Sequence, residues 1–221
     1  MPVSAANGPT PTPVPADPRP PGPRANTGPA VLKILIAGGF GVGKTTCVGA
    51  VSDITPIATE EYLTHASTPT DRLEGIEAKN TTTVAFDFGR VALDAPGLPM
   101  ELMLFGTPGQ DRFKDLWADL ARGAVGAVVL ADTRRLDISF DAVTFCEHAQ
   151  LPFIVAVNEF DGAHRYPPAD VRHALGLAPH IPLTTCDARA STSVAATLMR
   201  LVDHALASAQ TTPSPTPLDA R

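Results

Sequence analysis

The stretch "GGFGVGKT", residues 38–45, constrains this chain more than any other. It fits Gly-x-x-x-x-Gly-Lys-Ser/Thr. In that pattern glycines let the backbone wrap round phosphate oxygens with its N–H groups pointing inward. The lysine supplies a point charge to the β- and γ-phosphates, and the hydroxyl faces a magnesium ion. The residues that fall in this cradle are Gly38, Gly41, Val42, Gly43, Lys44, Thr45 and Thr46, with Thr45 on the metal. A glycine-rich turn with an incidental lysine is the plain alternative. It is disfavoured by the flanks, because "VLKILIAG" (31–38) reads as a strand and "GKTTCVGAVSD" (43–53) as a helix.

The rest of the chain alternates in the same way. Strands are expected in 81–94, 101–106, 123–132, 151–161 and 180–188, and helices in 109–121, 137–149, 168–175 and 190–208. This alternation implies an α/β architecture, about six strands in a mostly parallel sheet with helices on both faces, and the phosphate loop at its start makes a P-loop NTPase fold the expectation. Ligands of such sheets sit at the carboxyl ends of the strands, where every polar motif of this chain falls. The folded domain is expected over 31–208. Residues 1–30 are too rich in proline and too poor in apolar side chains to offset their ordering entropy, and are expected to be a disordered tail. Residues 209–221 are expected to form a second, shorter tail. A formal net charge of −6 gives no basic footprint for nucleic acid. Three cysteines without metal or disulfide spacing suit a reducing cytosol. The absence of any apolar run near 18 residues, of a signal core and of a lipidation box leads to the expectation of a cytoplasmic protein, brought to a membrane only through partners.

Three further motifs follow the phosphate loop in order: "LFGTPGQDRF" (104–113), "AVNEFD" (156–161) and "TTCDAR" (184–189). The series resembles the Ras-like small GTPases over about residues 31–208. Within them it is most similar to a bacterial subgroup encoded in actinobacterial conservon signalling clusters, distantly similar to the gliding-motility polarity GTPases. The resemblance implies GTP/GDP as ligand and Mg2+ as cofactor. It implies that Asn158 and Asp161 read guanine, since a carboxylate accepts from both N1–H and the exocyclic N2, a donor pair adenine lacks. It also implies that Cys186, Asp187 and Ala188 line the base, with the Ala188 N–H donating to guanine O6. Glu159 stands where the family has a lysine lying along the base, and Arg189 is expected to restore some of that stacking.

By the same resemblance, residues 53–80 form a switch loop. Thr83 then closes over the γ-phosphate and magnesium, with Thr81 and Thr82 as alternatives one residue away. Gly109 gives its N–H to the γ-phosphate, and Gln110 orients the attacking water. The family's metal-side aspartate is replaced by Gly106. Asp87 is four strand residues past Thr83, about 13 Å at 3.3 Å per residue, and is set aside on that ground. Asp94 and Glu101 fall at the opposite end of the sheet, and Asp132 is expected to cap its own loop. Acids of the switch loop, such as Asp71 or Glu74, or a water are left to replace the lost carboxylate. Gly106→Asp is accordingly expected to tighten magnesium dependence. Phe40 stands where an arginine finger from a partner would pass, so an intrinsic arginine, Arg72 or Arg112, is the expected source of catalytic charge. The resemblance further implies a regulator of roadblock type and a sensor-kinase-like protein as partners. Two other functions compete with a GTP-hydrolysing switch: a nucleotide-locked interaction module with little turnover, and a P-loop ATPase suggested by "GKTT".

Overall fold

A computed structural model describes residues 29–63, 82–95, 98–110 and 114–211. The strands are β1 (Ala30–Ala37), β2 (Ile57–Leu63), β3 (Thr82–Ala95), β4 (Leu98–Gly106), β5 (Ala124–Ala131), β6 (Phe153–Asn158) and β7 (Leu183–Cys186). The helices are α1 (Lys44–Val51), α2 (Asp115–Ala121), α3 (Phe140–His148), α4 (Pro168–Ala174) and α5 (Ser191–Thr211), with a 3-10 turn, Leu136–Ser139, leading into α3.

All seven strands form one sheet in the order β2-β3-β4-β1-β5-β6-β7. β3 runs antiparallel to both of its neighbours, and the remaining pairs are parallel. The strand beyond the expected six is β2, inside the segment that the sequence presents as an uninterrupted loop. Backbone pairing with β3 makes it: β3 gives Phe88–Ala95 to β4 and Thr82–Phe88 to β2. Its sequence, "IATEEYL", carries little of the apolar periodicity by which strands announce themselves.

The central strand β1 is buried on both faces. Ile34 and Ile36 pack with Val48 of α1 and Val194 and Leu198 of α5. Leu35 and Ala37 pack with Trp117, Val143 and Val171 of α2, α3 and α4. This two-sided burial explains the unbroken apolar run of the sequence. The second helix starts at Asp115, later than the expected 109. Pro108 disfavours helical geometry in Thr107, whose N–H instead donates to the Ile36 carbonyl at 2.9 Å. The last helix continues to Thr211, past the expected 208.

Trp117 ties α2 to the irregular segment before it. It is buried, donates its indole N–H to the Pro108 carbonyl at 3.0 Å, and meets Phe145 edge-on at 5.5 Å. The chain has one tryptophan, so its fluorescence reports this segment alone. Exchange of a bound diphosphate for a non-hydrolysable triphosphate is expected to change Trp117 emission. Trp117→Phe should lower stability by about 1 kcal/mol through the lost hydrogen bond. Unchanged emission in a fluorescence titration would show that 107–110 does not respond to the terminal phosphate.

Candidate functional site

The carboxyl ends of β1, β4, β5, β6 and β7 share one edge of the sheet, and antiparallel β3 brings its amino-terminal half there. The phosphate loop follows β1. Its glycines are dictated by space and by φ. A Cβ on Gly38 (φ +140) would lie 2.6 Å from the Leu130 carbonyl oxygen, and one on Gly43 (φ +101) 2.6 Å from Asn158 Nδ2. Lys44 is buried and folds back over the loop, with its Nζ donating to the carbonyls of Gly38 at 2.9 Å and Gly39 at 2.7 Å. Burial pulls the ammonium pKa down to about 8, against the opposing charge of Asp87. Val42 belongs to the core, and its carbonyl is the part of it that faces the site.

Asp87 corrects the sequence reading. Thr45 Oγ1 donates to Asp87 Oδ2 at 2.7 Å. Asp87 lies one residue beyond the Phe88–Phe105 pair of β3 and β4, which sets it beside Gly106. A Cβ on Gly106 would lie 3.1 Å from both the Asp87 Cβ and its Oδ2. The carboxylate absent from β4 therefore comes from β3 at the same level of the sheet. Distance counted along β3 from Thr83 does not reveal this, because strand pairing fixes the level that faces the phosphate loop. The one sequence signal for Asp87 is local, an acid flanked on both sides by phenylalanine, Phe86 and Phe88.

Asp87, Thr45, Lys44, Thr107, Gly109 and Gln110 line one cavity of about 420 Å3. The buried Thr107 hydroxyl has no hydrogen-bond partner among the described residues. An orphaned hydroxyl beside a Thr–Asp pair fits a hydrated cation bound between phosphates. No cluster of three metal-ligating side chains occurs among the described residues. Gly109 has no room for a side chain: its Cβ would lie 2.7 Å from Lys44 Nζ and 2.9 Å from Phe40 Cα. Thr83 lies on β3 in register with Tyr62, and its side chain is outside the described residues. Arg72, Arg112, Asp71, Glu74 and Thr81 are also outside them, whereas Thr82 opens β3. Asp132 is buried and accepts hydrogen bonds from the Arg134 backbone and guanidinium, as a loop cap does. Those bonds hold its carboxyl below the usual carboxylate range.

At the other end of the loop, Asn158 is buried and clips two loops together. Its Nδ2 donates to the Val42 carbonyl at 3.0 Å, and its Oδ1 accepts the Ala188 N–H at 3.0 Å. The N–H expected at guanine O6 is thus held by Asn158. Asp161 is 88% exposed and paired with Arg189 at 2.8 Å. Arg189 also bonds Asp187, and these bonds hold both carboxyls below the usual range. Arg189 is therefore an ion-pair partner of Asp161, where stacking along a base is the expectation from sequence. Cys186 needs correction as a pocket residue, since its side chain lies in the core and its carbonyl accepts the Glu159 N–H. Glu159 pairs with Arg165 at 3.3 Å. Sequence reasoning also misses Arg135, in the loop after β5, whose Nη2 donates to the Phe40 carbonyl at 2.9 Å.

A curated relative, the Ras-related protein Rab-1C of Dictyostelium discoideum, is 27% identical over 113 residues, which are 51% of this chain and 46% of the relative. The chain thus spans about half the length of the curated relative it matches. The family described as "conserved hypothetical ATP binding protein" matches residues 36–208, from inside β1 to the last helix. With the phosphate loop, the buried lysine and the α/β sheet in place, the chain belongs to this P-loop nucleotide-binding family.

Proposed function

We propose that this protein is a guanine-nucleotide switch that binds GTP and GDP and hydrolyses GTP slowly. The observation that carries the guanine assignment is the exposed Asp161 carboxylate at the end of β6, three residues past the Asn158 clip to the phosphate loop. Phosphates bind to the loop N–H groups and Lys44. Thr45 and Asp87 hold magnesium directly or through its waters, with Thr83 as the ligand contributed when the switch closes. Magnesium, when bound, neutralises charge developing between the β- and γ-phosphates. Gly109 contacts the γ-phosphate through its N–H, and Gln110 orients the attacking water. The switch works in a cytoplasmic bacterial signalling system, with a roadblock-type regulator and a sensor-kinase-like protein as partners. A nucleotide-locked module is the low-turnover limit of the same site.

A P-loop ATPase is the second reading. It is favoured by the description of the matched family and by the engagement of Asp161 with Arg189. Displacement of a fluorescent GDP analogue separates the two. GTP is expected to compete at least about 100-fold better than ATP, because a site built for a donor pair rejects a base without it. Asp161→Asn should shift preference toward xanthosine nucleotides. Equal displacement by ATP and GTP would overturn the guanine reading and leave the ATPase.

A further inference from the structure

We propose that Arg135 is the intrinsic arginine of this site, placing its guanidinium on the terminal phosphate of a bound nucleoside triphosphate during hydrolysis. This rests on the reading of the site as a triphosphate hydrolase and is independent of which base is bound. Arg135 leaves the carboxyl end of β5, the strand next to β1, so its loop lies against the phosphate loop. Contact between the two is close: a Cβ on Gly39 would lie 2.7 Å from the Ile138 Cβ, and one on Gly41 3.3 Å from Arg135 Nη2. The guanidinium rests on the carbonyl of Phe40 at 2.9 Å. Phe40 is also the residue whose backbone touches Gly109, the glycine expected at the γ-phosphate.

The neighbouring Arg134 is committed elsewhere. It pairs with buried Asp132 and lies over the Phe160 ring at 3.7 Å. Arg135 makes no ion pair with a carboxylate among the described residues, and it is exposed. Together with Gln110, Gly109 and Phe40 it lines a cavity of about 360 Å3, so the water-orienting side chain and this cation face one space. Phe40 bears on the route. Its ring is 68% exposed, in the path of an arginine from outside. An arginine already at its carbonyl does not have to pass the ring. A neutral carbonyl is a weak holder of a guanidinium compared with a phosphate oxygen, with which charge-assisted bonds form. Rotation of the outer torsions then carries the group across the rim when a triphosphate occupies the loop.

In the reaction, a water oxygen forms a bond to the γ-phosphorus as the bond from that phosphorus to the β–γ bridging oxygen breaks. The diphosphate leaves with the bonding electron pair, and the water protons go to the phosphate product and solvent. Arg135 transfers no proton. Its N–H groups offset charge that is greatest in the transition state.

Purified full-length protein and its Arg135→Ala and Arg135→Lys variants test this with fluorescent GDP and aluminium fluoride, a planar mimic of the transferring phosphoryl group, and with single-turnover GTP hydrolysis. Unmodified protein without a partner is expected to trap the fluoride complex. Arg135→Ala should fail to trap it and hydrolyse about 10³-fold more slowly, while its GDP affinity stays within about threefold. Arg135→Lys should recover a minor part of the rate, since it keeps the charge without the planar fork. The proposal is overturned if unmodified protein binds GDP but traps no fluoride complex, or if Arg135→Ala traps it and turns over normally. A fall in GDP affinity matching the fall in rate would also overturn it, because Arg135 would then only brace the phosphate loop. Failure of unmodified protein to bind any nucleotide would instead overturn the function proposed for the site, and this inference with it.

Discussion

Exchanging two residues across neighbouring strands should move the metal-side carboxylate without losing it. Asp87→Ala is expected to raise the magnesium concentration needed for half-maximal triphosphate binding by about 10–100-fold, the usual consequence of removing a group that supports a metal and its ligand. Gly106→Asp alone should also weaken magnesium binding. The new Cβ would lie 3.1 Å from Asp87, and two carboxylates forced into one site cannot both ionise. This reverses the benefit expected for Gly106→Asp from sequence. The double variant Asp87→Gly/Gly106→Asp restores one carboxylate with room around it, and should recover magnesium affinity to within about threefold of the unmodified protein. Nucleotide release under chelation reads all three. If Asp87→Ala leaves the magnesium requirement unchanged and Gly106→Asp tightens it, Asp87 serves only to hold Thr45.

Lys44→Ala should weaken triphosphate binding by about 10²–10³-fold, as expected when one partner of a buried charged interaction is removed. The lysine also sets a pH dependence. In the free protein its pKa is about 8, and a bound triphosphate raises it. Below pH 8 both forms carry the proton and affinity is flat. Above pH 8 binding must take up a proton, so affinity falls about tenfold per pH unit until the bound form also titrates. Folding shows the opposite slope. The unfolded lysine, at 10.5, holds its proton more tightly than the folded one. The cost of burying that charge is therefore complete below pH 8 and disappears as pH rises toward 10.5. Calorimetric titration between pH 7 and 9.5 measures the binding effect. An affinity constant across that range would show that Lys44 stays fully charged in the empty loop.

The parts of this site carried by contiguous residues are legible in the amino-acid sequence alone. The phosphate loop is a backbone conformation encoded by its own glycines, and β1, β5 and β6 announce themselves because burial on both faces demands unbroken apolar runs. What escapes the sequence is whatever depends on pairing across strands. Asp87 reaches Thr45 only because β3 and β4 pair with Phe88 against Phe105, and no local pattern states that register. Strand β2 is hidden for the same reason, since its stability comes from the edge of β3. The roles of Arg135 and Trp117 are hidden because loop-to-loop and helix-to-loop contacts leave no periodic trace. Cys186 is misassigned because a residue at a strand end can face the core or the ligand, and the parity of the strand decides which.

The Asn158 clip changes how variants of this protein must be interpreted. A side chain that joins the Val42 carbonyl to the Ala188 N–H makes the two ends of the nucleotide site mechanically one piece. Replacing it with alanine strands a buried donor and a buried acceptor, each worth about 1–3 kcal/mol. It also removes the atom that Gly43 was shaped to accommodate. Such a variant would bind every nucleotide poorly, whatever its base. An Asn158 substitution is therefore a gauge of the scaffold's integrity. Asp161 carries none of that frame, so under the guanine-switch proposal its variants are the ones that report on the base.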